Sequence, residues 1–162
     1  MRSGSMGSLV VIWSSVFCAA FLQVMPLPPF LDDFRPNWLL LISFYWCVAL
    51  PHRFNIGSAW LAGLVLDLLW GANLGVNALS FVLVCATLTH NFQRVRSFSV
   101  WQQAIIMALL SLVYQFVNYL LTSWFVGAVS HGGYYLSVIT SLIVWPWIFF
   151  MLRKTRRHWS VT

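Results

Sequence analysis

Residues 56–89 read IGSAWLAGLVLDLLWGANLGVNALSFVLVCATLT. Two apolar runs, about 56–70 and 74–89, flank a short Gly/Asn turn, and a single acid, Asp67, stands inside the first of them. Runs of this kind recur outward in both directions. Toward the N-terminus lie segments at about 8–25 and 37–50, separated by Pro26, Pro28, Pro29 and Pro36; toward the C-terminus lie segments at about 101–126 and 134–152, the last containing Pro146. Proline neither continues a helix nor donates to one, so it punctuates the series.

The composition agrees. The 162 residues are 60% hydrophobic, 17% aromatic and 7% charged, where a soluble domain carries about 25% charged residues. So little charge cannot wet a globular surface. The fold class expected is an all-α integral membrane protein, a single bundle of about six transmembrane helices with short loops, followed by a basic tail over 153–162. Two segments are short: fourteen residues rise roughly 21 Å against a hydrocarbon core of about 30 Å. Segments two and three are read as two short spans rather than a re-entrant hairpin, which would bury His52 and Arg53 at membrane depth.

Charge orients the bundle. With six spans, one side holds Arg2, Arg53, Arg94, Arg96, Arg153, Lys154, Arg156 and Arg157, and the other only Arg35 beside Asp32 and Asp33. Eight cations against one place both termini in the cytoplasm. The net charge of +6 is thereby a topology signal and not a nucleic-acid patch. Trp38, Trp70 and Trp124 fall near the outer interface and Trp101 and Trp159 near the inner one, whereas Trp46, Trp60 and Trp145 are expected to pack between helices. Cys18, Cys47 and Cys85 sit singly in apolar runs and read as small buried apolar residues.

Chemistry-bearing patterns are few. There is no Glu, and His52, His90, His131 and His158 lack triad or metal partners nearby in sequence; no enzyme motif is present, and neither catalysis nor a cofactor or metal is expected. Asp67 is the informative residue, because an intramembrane acid is a functional candidate by default. It either pairs with Arg35, accepts hydrogen bonds from Asn73 or Asn77, receives a partner's helix or serves transport. Arg35, Asn37, Asp67, Asn73 and Asn77 are grouped as one polar cluster at the outer helix ends. Segment five carries a stripe of small and polar residues, Ala104, Ala108, Ser111, Gln115, Asn118 and Thr122, within an arc of about 80°; such a stripe joins helices or lines a cavity. Pro146 frees an upstream carbonyl, which Ser141 or a neighbouring helix is expected to satisfy. Arg153, Lys154, Arg156 and Arg157 form an orientation anchor and a contact for anionic lipid.

Several strings, in order, resemble one family: Phe34-Arg-Pro-Asn-Trp38; Ala49-Leu-Pro-His-Arg53 with Asn55 and Gly57; Gly63-x-x-x-Asp67 followed by Leu74-Gly75; Trp101-Gln-Gln-Ala104; Trp145-Pro-Trp-Ile-Phe149; and Arg153-Lys154. Together they resemble the MreD rod shape-determining family of Gram-negative bacteria, over most of 34–157. The first 30 residues and the stretch from about 114 to 136 match in hydrophobicity alone. The resemblance implies a non-catalytic inner-membrane component of the cell-elongation complex. It would act with a bitopic MreC-like protein and, indirectly, with an MreB-like actin homologue and the glycosyltransferase/transpeptidase pair that builds sidewall peptidoglycan. It also implies a likeness to the substrate-binding subunits of vitamin transporters, so a small transporter or binding subunit is the rival function.

Overall fold

The computed structural model describes residues 3–26, 28, 34–71, 73–127 and 134–158. Arg2, Asp32, Asp33, His131 and Trp159 lie outside the described residues. Within the described residues the chain is all-helical: α1 (Ser3–Val24), α2 (Trp38–Ala49), α3 (Ile56–Trp70), α4 (Val76–Ser97), α5 (Val100–Val126) and α6 (Tyr134–His158).

Local chemistry sets most of these boundaries. The Asn55 side chain accepts from the Gly57 and Ser58 N–H groups and starts α3, and Gly71, at φ 60°, ends it in the left-handed conformation that glycine adopts without penalty. Ser99 and Gln102 form a reciprocal capping box at the start of α5. Gln103 Nε2 donates back to the Val95 and Phe98 carbonyls, closing the preceding helix end.

α2 is the centre of the bundle. Every residue from Leu39 to Val48 is buried, among α1, α4 and α6. At 12 residues it rises only about 18 Å, but a helix enclosed by protein does not have to match the bilayer. Phe44 meets Trp145 of α6 edge-on at 4.7 Å, and Trp46 Nε1 donates to Ser15 Oγ of α1 at 2.8 Å. α3 is peripheral and packs chiefly on α4. Its buried positions are Ala59, Ala62, Gly63, Leu66 and Asp67, one face at helical spacing and made mostly of small residues.

The outer surface is apolar. Val10, Phe17 and Phe21 of α1, Leu68 of α3, Trp101 and Trp124 of α5, and Ile143 and Trp147 of α6 are all exposed, as a surface facing lipid tails requires. Three stretches are long and apolar enough to cross a membrane: Gly7–Val24, Val100–Phe125 and Leu136–His158.

Two helix ends differ from the sequence reading. α4 was expected to stop at 89 before a loop over 89–99; it runs to Ser97, with a local departure at Asn91 (φ −111°, ψ 16°). α6 was expected to stop at 152 before a tail; it runs to His158. Both extensions are polar, yet Arg, Lys and Gln are good helix formers and cations are favoured at a helix C-terminus. Trp60 also differs, being 45% exposed while Trp46 and Trp145 are buried; it lies at the margin of the 59/62/63/66/67 face, beyond Asp67.

Candidate functional site

Asp67 sits on the last turn of α3 and is fully buried. Its Oδ2 accepts from the Gly75 N–H at 2.9 Å and the Ala78 N–H at 3.4 Å. Its Oδ1 accepts from the Asn77 N–H at 3.1 Å and from Asn77 Nδ2 at 2.8 Å. Gly75 is the N-cap of α4, at φ 99°, and has no side chain with which to cap. The carboxylate of the preceding helix therefore fills that role, satisfying N–H groups that no intrahelical carbonyl reaches and placing negative charge at the positive end of the helix dipole.

Gly63 makes this reach possible. A Cβ there would lie 2.5 Å from Ala78 Cα and 2.8 Å from its nitrogen, so α3 and α4 touch backbone to backbone one turn before Asp67. The Gly63-x-x-x-Asp67 spacing thus joins a close approach to a cap on the same helix face.

The network continues inward. Asn77 Oδ1 accepts from Tyr114 Oη at 2.6 Å and from Asn118 Nδ2 at 2.9 Å, and Asn118 Nδ2 also donates to Ser80 Oγ at 3.2 Å. Ser80 Oγ in turn donates to the Val76 carbonyl. The Tyr114 ring packs edge-on against Phe81 at 5.3 Å. Asp67, Asn77, Ser80, Tyr114 and Asn118 thereby tie α3, α4 and α5 together.

Arg35 and Asn37 belong to a second cluster. Arg35 is not among Asp67's partners; its Nη1 and Nη2 donate to the Gln23 and Met25 carbonyls at 2.6 and 2.8 Å, placing a cation at the C-terminal end of α1. The Arg35 carbonyl accepts from Ser137 Oγ at 2.7 Å. The Asn37 N–H donates to Ser141 Oγ at 3.2 Å, and Asn37 Nδ2 to Ser111 Oγ at 3.1 Å. The entry to α2 is thus pinned to α1, α5 and α6. Asn73 joins neither cluster through its side chain: it is exposed in the α3–α4 turn, and its carbonyl accepts from the Val76 N–H.

The α5 stripe bridges the two clusters. Ser111 bonds to Asn37 and Asn118 to Asn77. Gln115 lies between them, buried with its carboxamide oxygen unpartnered, and Thr122 is half-buried a turn further on. Ser141, expected to relieve the carbonyl freed by Pro146, instead donates to the Ser137 carbonyl while accepting from Asn37. Tyr114, Ser80, Ser137 and Gln23 were missed. Ser80 follows Asn77 by three residues and Ser137 precedes Ser141 by four, so the stripe test applied to α5 would have found both serines on α4 and α6. At the other end of α6, Arg153, Lys154 and Arg157 are exposed. The Arg153 guanidinium lies 6.0 Å from the Phe149 ring centroid, and Arg156 hydrogen-bonds Tyr45 of α2.

In chemical terms Asp67 is saturated. A carboxylate offers about four lone-pair sites, and four N–H donors fill them. Among the described residues no three His, Cys, Asp or Glu side chains gather as a metal site.

Comparison with known proteins accounts for this architecture. The family model for the rod shape-determining protein MreD matches residues 3–155, including the stretches that resembled the family in hydrophobicity alone. The chain is 33% identical over 144 residues to the rod shape-determining protein MreD of Haemophilus influenzae, covering 88% of this chain and 89% of that protein. No solved structure matches it. With the family model spanning nearly the whole chain and the Gly63/Asp67 motif carrying the contact between α3 and α4, the protein belongs to the MreD family of membrane proteins involved in rod shape determination.

Proposed function

We propose that the protein is a non-catalytic adaptor of the bacterial inner membrane, acting in the cell-elongation machinery through helix contacts. In this reading it has six spans and both termini in the cytoplasm. The observation that carries the proposal is the internal engagement of its polar groups. Asp67, the lone acid of an apolar segment, has its acceptor sites filled by the α4 N-terminus and Asn77, which leaves none for a transported ion or a reacting group. The eight-to-one distribution of cations supports the orientation.

The adaptor would hold a bitopic MreC-like protein in the membrane. Through it the protein would act on an MreB-like filament and the enzymes of sidewall peptidoglycan synthesis. Arg153, Lys154, Arg156 and Arg157 would contact anionic headgroups, at about 1 kcal/mol per basic residue near the surface. Controlled depletion in the native host tests the function: cells should round and lose dispersed sidewall insertion, and unchanged rods after complete depletion would overturn it. Reporter fusions at both ends test the topology, since fusion of segments two and three into one span would move the N-terminus outside.

Gln115 favours a second reading, a small-molecule-binding subunit. Its buried carboxamide oxygen has no partner, as a ligand-facing acceptor would. A small molecule that copurifies and raises the thermal midpoint in a concentration-dependent way would support that reading over the adaptor.

A further inference from the structure

We propose that Cys47 and Cys85 are a disulfide-forming pair that staples the central helix α2 to α4. The two residues are 38 apart in sequence, and their Sγ atoms lie 2.6 Å from each other. Both are buried, at 1% and 3% exposure, whereas Cys18 faces outward from α1. The S–S bond length, about 2.05 Å, is about half an ångström shorter than this separation. Among the described residues no third metal-ligating side chain joins the pair, so the site has the composition of a dithiol and not of a closed metal centre.

The surroundings select the oxidant. Cys47 lies two residues before the C-terminal end of α2 and Cys85 nine residues into α4, both in the apolar core of the bundle. Water-soluble disulfides do not partition into such surroundings, and a membrane-dissolved quinone does. Both S–H bonds break, one S–S bond forms, and two electrons and two protons pass to the quinone, which leaves as the quinol. Because the closed bundle buries both sulfurs, the reaction belongs to assembly, before α2 and α4 close on each other. The bond then constrains the chain between them and secures α4, whose other end Asp67 caps.

The test counts free thiols in the full-length protein made in its native host. Cells are quenched in acid, and the protein is denatured in detergent and labelled with maleimide-polyethylene glycol. Without reductant one adduct is expected, at Cys18; after reduction, three. Three adducts without reduction would overturn the proposal. In Cys47→Ser two adducts are expected with or without reductant, since Cys85 loses its partner; a single unreduced adduct would show that Cys85 is blocked by something else and overturn the pairing. Should that variant fail to accumulate, a Cys47–Cys85 crosslinked peptide in digests of the unreduced wild-type protein decides, its absence counting against the pair. In quinone-deficient cells the unreduced protein should give three adducts, and one adduct there would overturn the choice of oxidant.

Discussion

The start of α4 and the end of α1 meet the same electrostatic problem with opposite charges. At α4 the carboxylate of Asp67 receives N–H groups at the helix N-terminus. At α1 the guanidinium of Arg35 covers carbonyls at the helix C-terminus. In each case a formal charge at or near membrane depth is balanced by a helix dipole and its unsatisfied backbone groups. The two differ in burial. Asp67 is wholly enclosed and passes its bonds on to Asn77, Tyr114 and Asn118, while Arg35 is half-buried in the segment leading into α2. A charge in contact with water retains part of its solvation when its partners are lost, and an enclosed one does not. The α4 end should therefore be the stiffer and costlier part to disturb.

That difference orders four experiments. The largest effect is expected from Gly63→Ala, because the added carbon meets the Ala78 backbone rather than a movable side chain. A loss of about 3 kcal/mol is expected, at the top of the usual overpacking range, read as a fall in thermal midpoint in detergent. Gly7→Ala, where a Cβ meets nothing within 4 Å, should leave the midpoint unchanged. Equal behaviour of the two would remove the close approach from the account.

Asp67→Ala comes next and tests the asymmetry directly. It leaves N–H donors at the start of α4 and the Asn77 amide without their acceptor, at a cost of about 2 kcal/mol in all, because water can reach the part-buried Gly75 end. Arg35→Ala should cost about 1 kcal/mol, as befits a partly exposed terminal cation. Denaturation of both variants in one detergent gives the comparison, and an equal or larger loss for Arg35 would break it.

Smaller effects should separate the two clusters. Asn77→Ala and Asn118→Ala share a hydrogen bond and should be coupled in a double-mutant cycle by about 0.6 kcal/mol, typical of interhelical bonds in membranes. Asn77→Ala and Ser111→Ala belong to different clusters and should add. Coupling of the second pair as strong as the first would mean that α5 transmits between the two ends. The smallest effect is expected from Arg153→Ala. Its cation–π contact with Phe149, at the 6.0 Å outer limit of such contacts, is worth about 0.5 kcal/mol, the low end for an exposed site, and any lipid attraction should weaken as salt rises. A salt-independent loss in vesicle-reconstituted protein would exclude the headgroup contribution.

The functional residues were legible to different depths. Asp67 stood out because a lone acid in an apolar run is rare and costly, and Asn77 was among the partners considered for it. Arg35 and Asn37 were grouped with them because all appeared to lie near the outer helix ends. Ordering along the membrane normal, which is what topology supplies, does not say which helices are neighbours. Neighbourhood separates the two clusters, since α2 enters between α1, α5 and α6 while α3 returns chiefly against α4. Tyr114 was missed because a tyrosine in an apolar segment reads as an interfacial or packing ring until its hydroxyl is seen to meet Asn77.

Composition and periodicity alone were enough for an apolar helical bundle, for most helix starts and for the small and polar stripe of α5. These follow from short-range rules: proline and glycine break, Ser, Asn and Gln cap, and apolar residues leave water. Tertiary structure decided which short helix lies at the centre, which backbone Asp67 caps, and that Cys47 meets Cys85 across 38 residues. In lipid nearly every face of every helix is apolar, so hydrophobicity cannot tell a neighbour from solvent. Close backbone approach and a few buried hydrogen bonds make that choice, and both exist only once the helices are side by side.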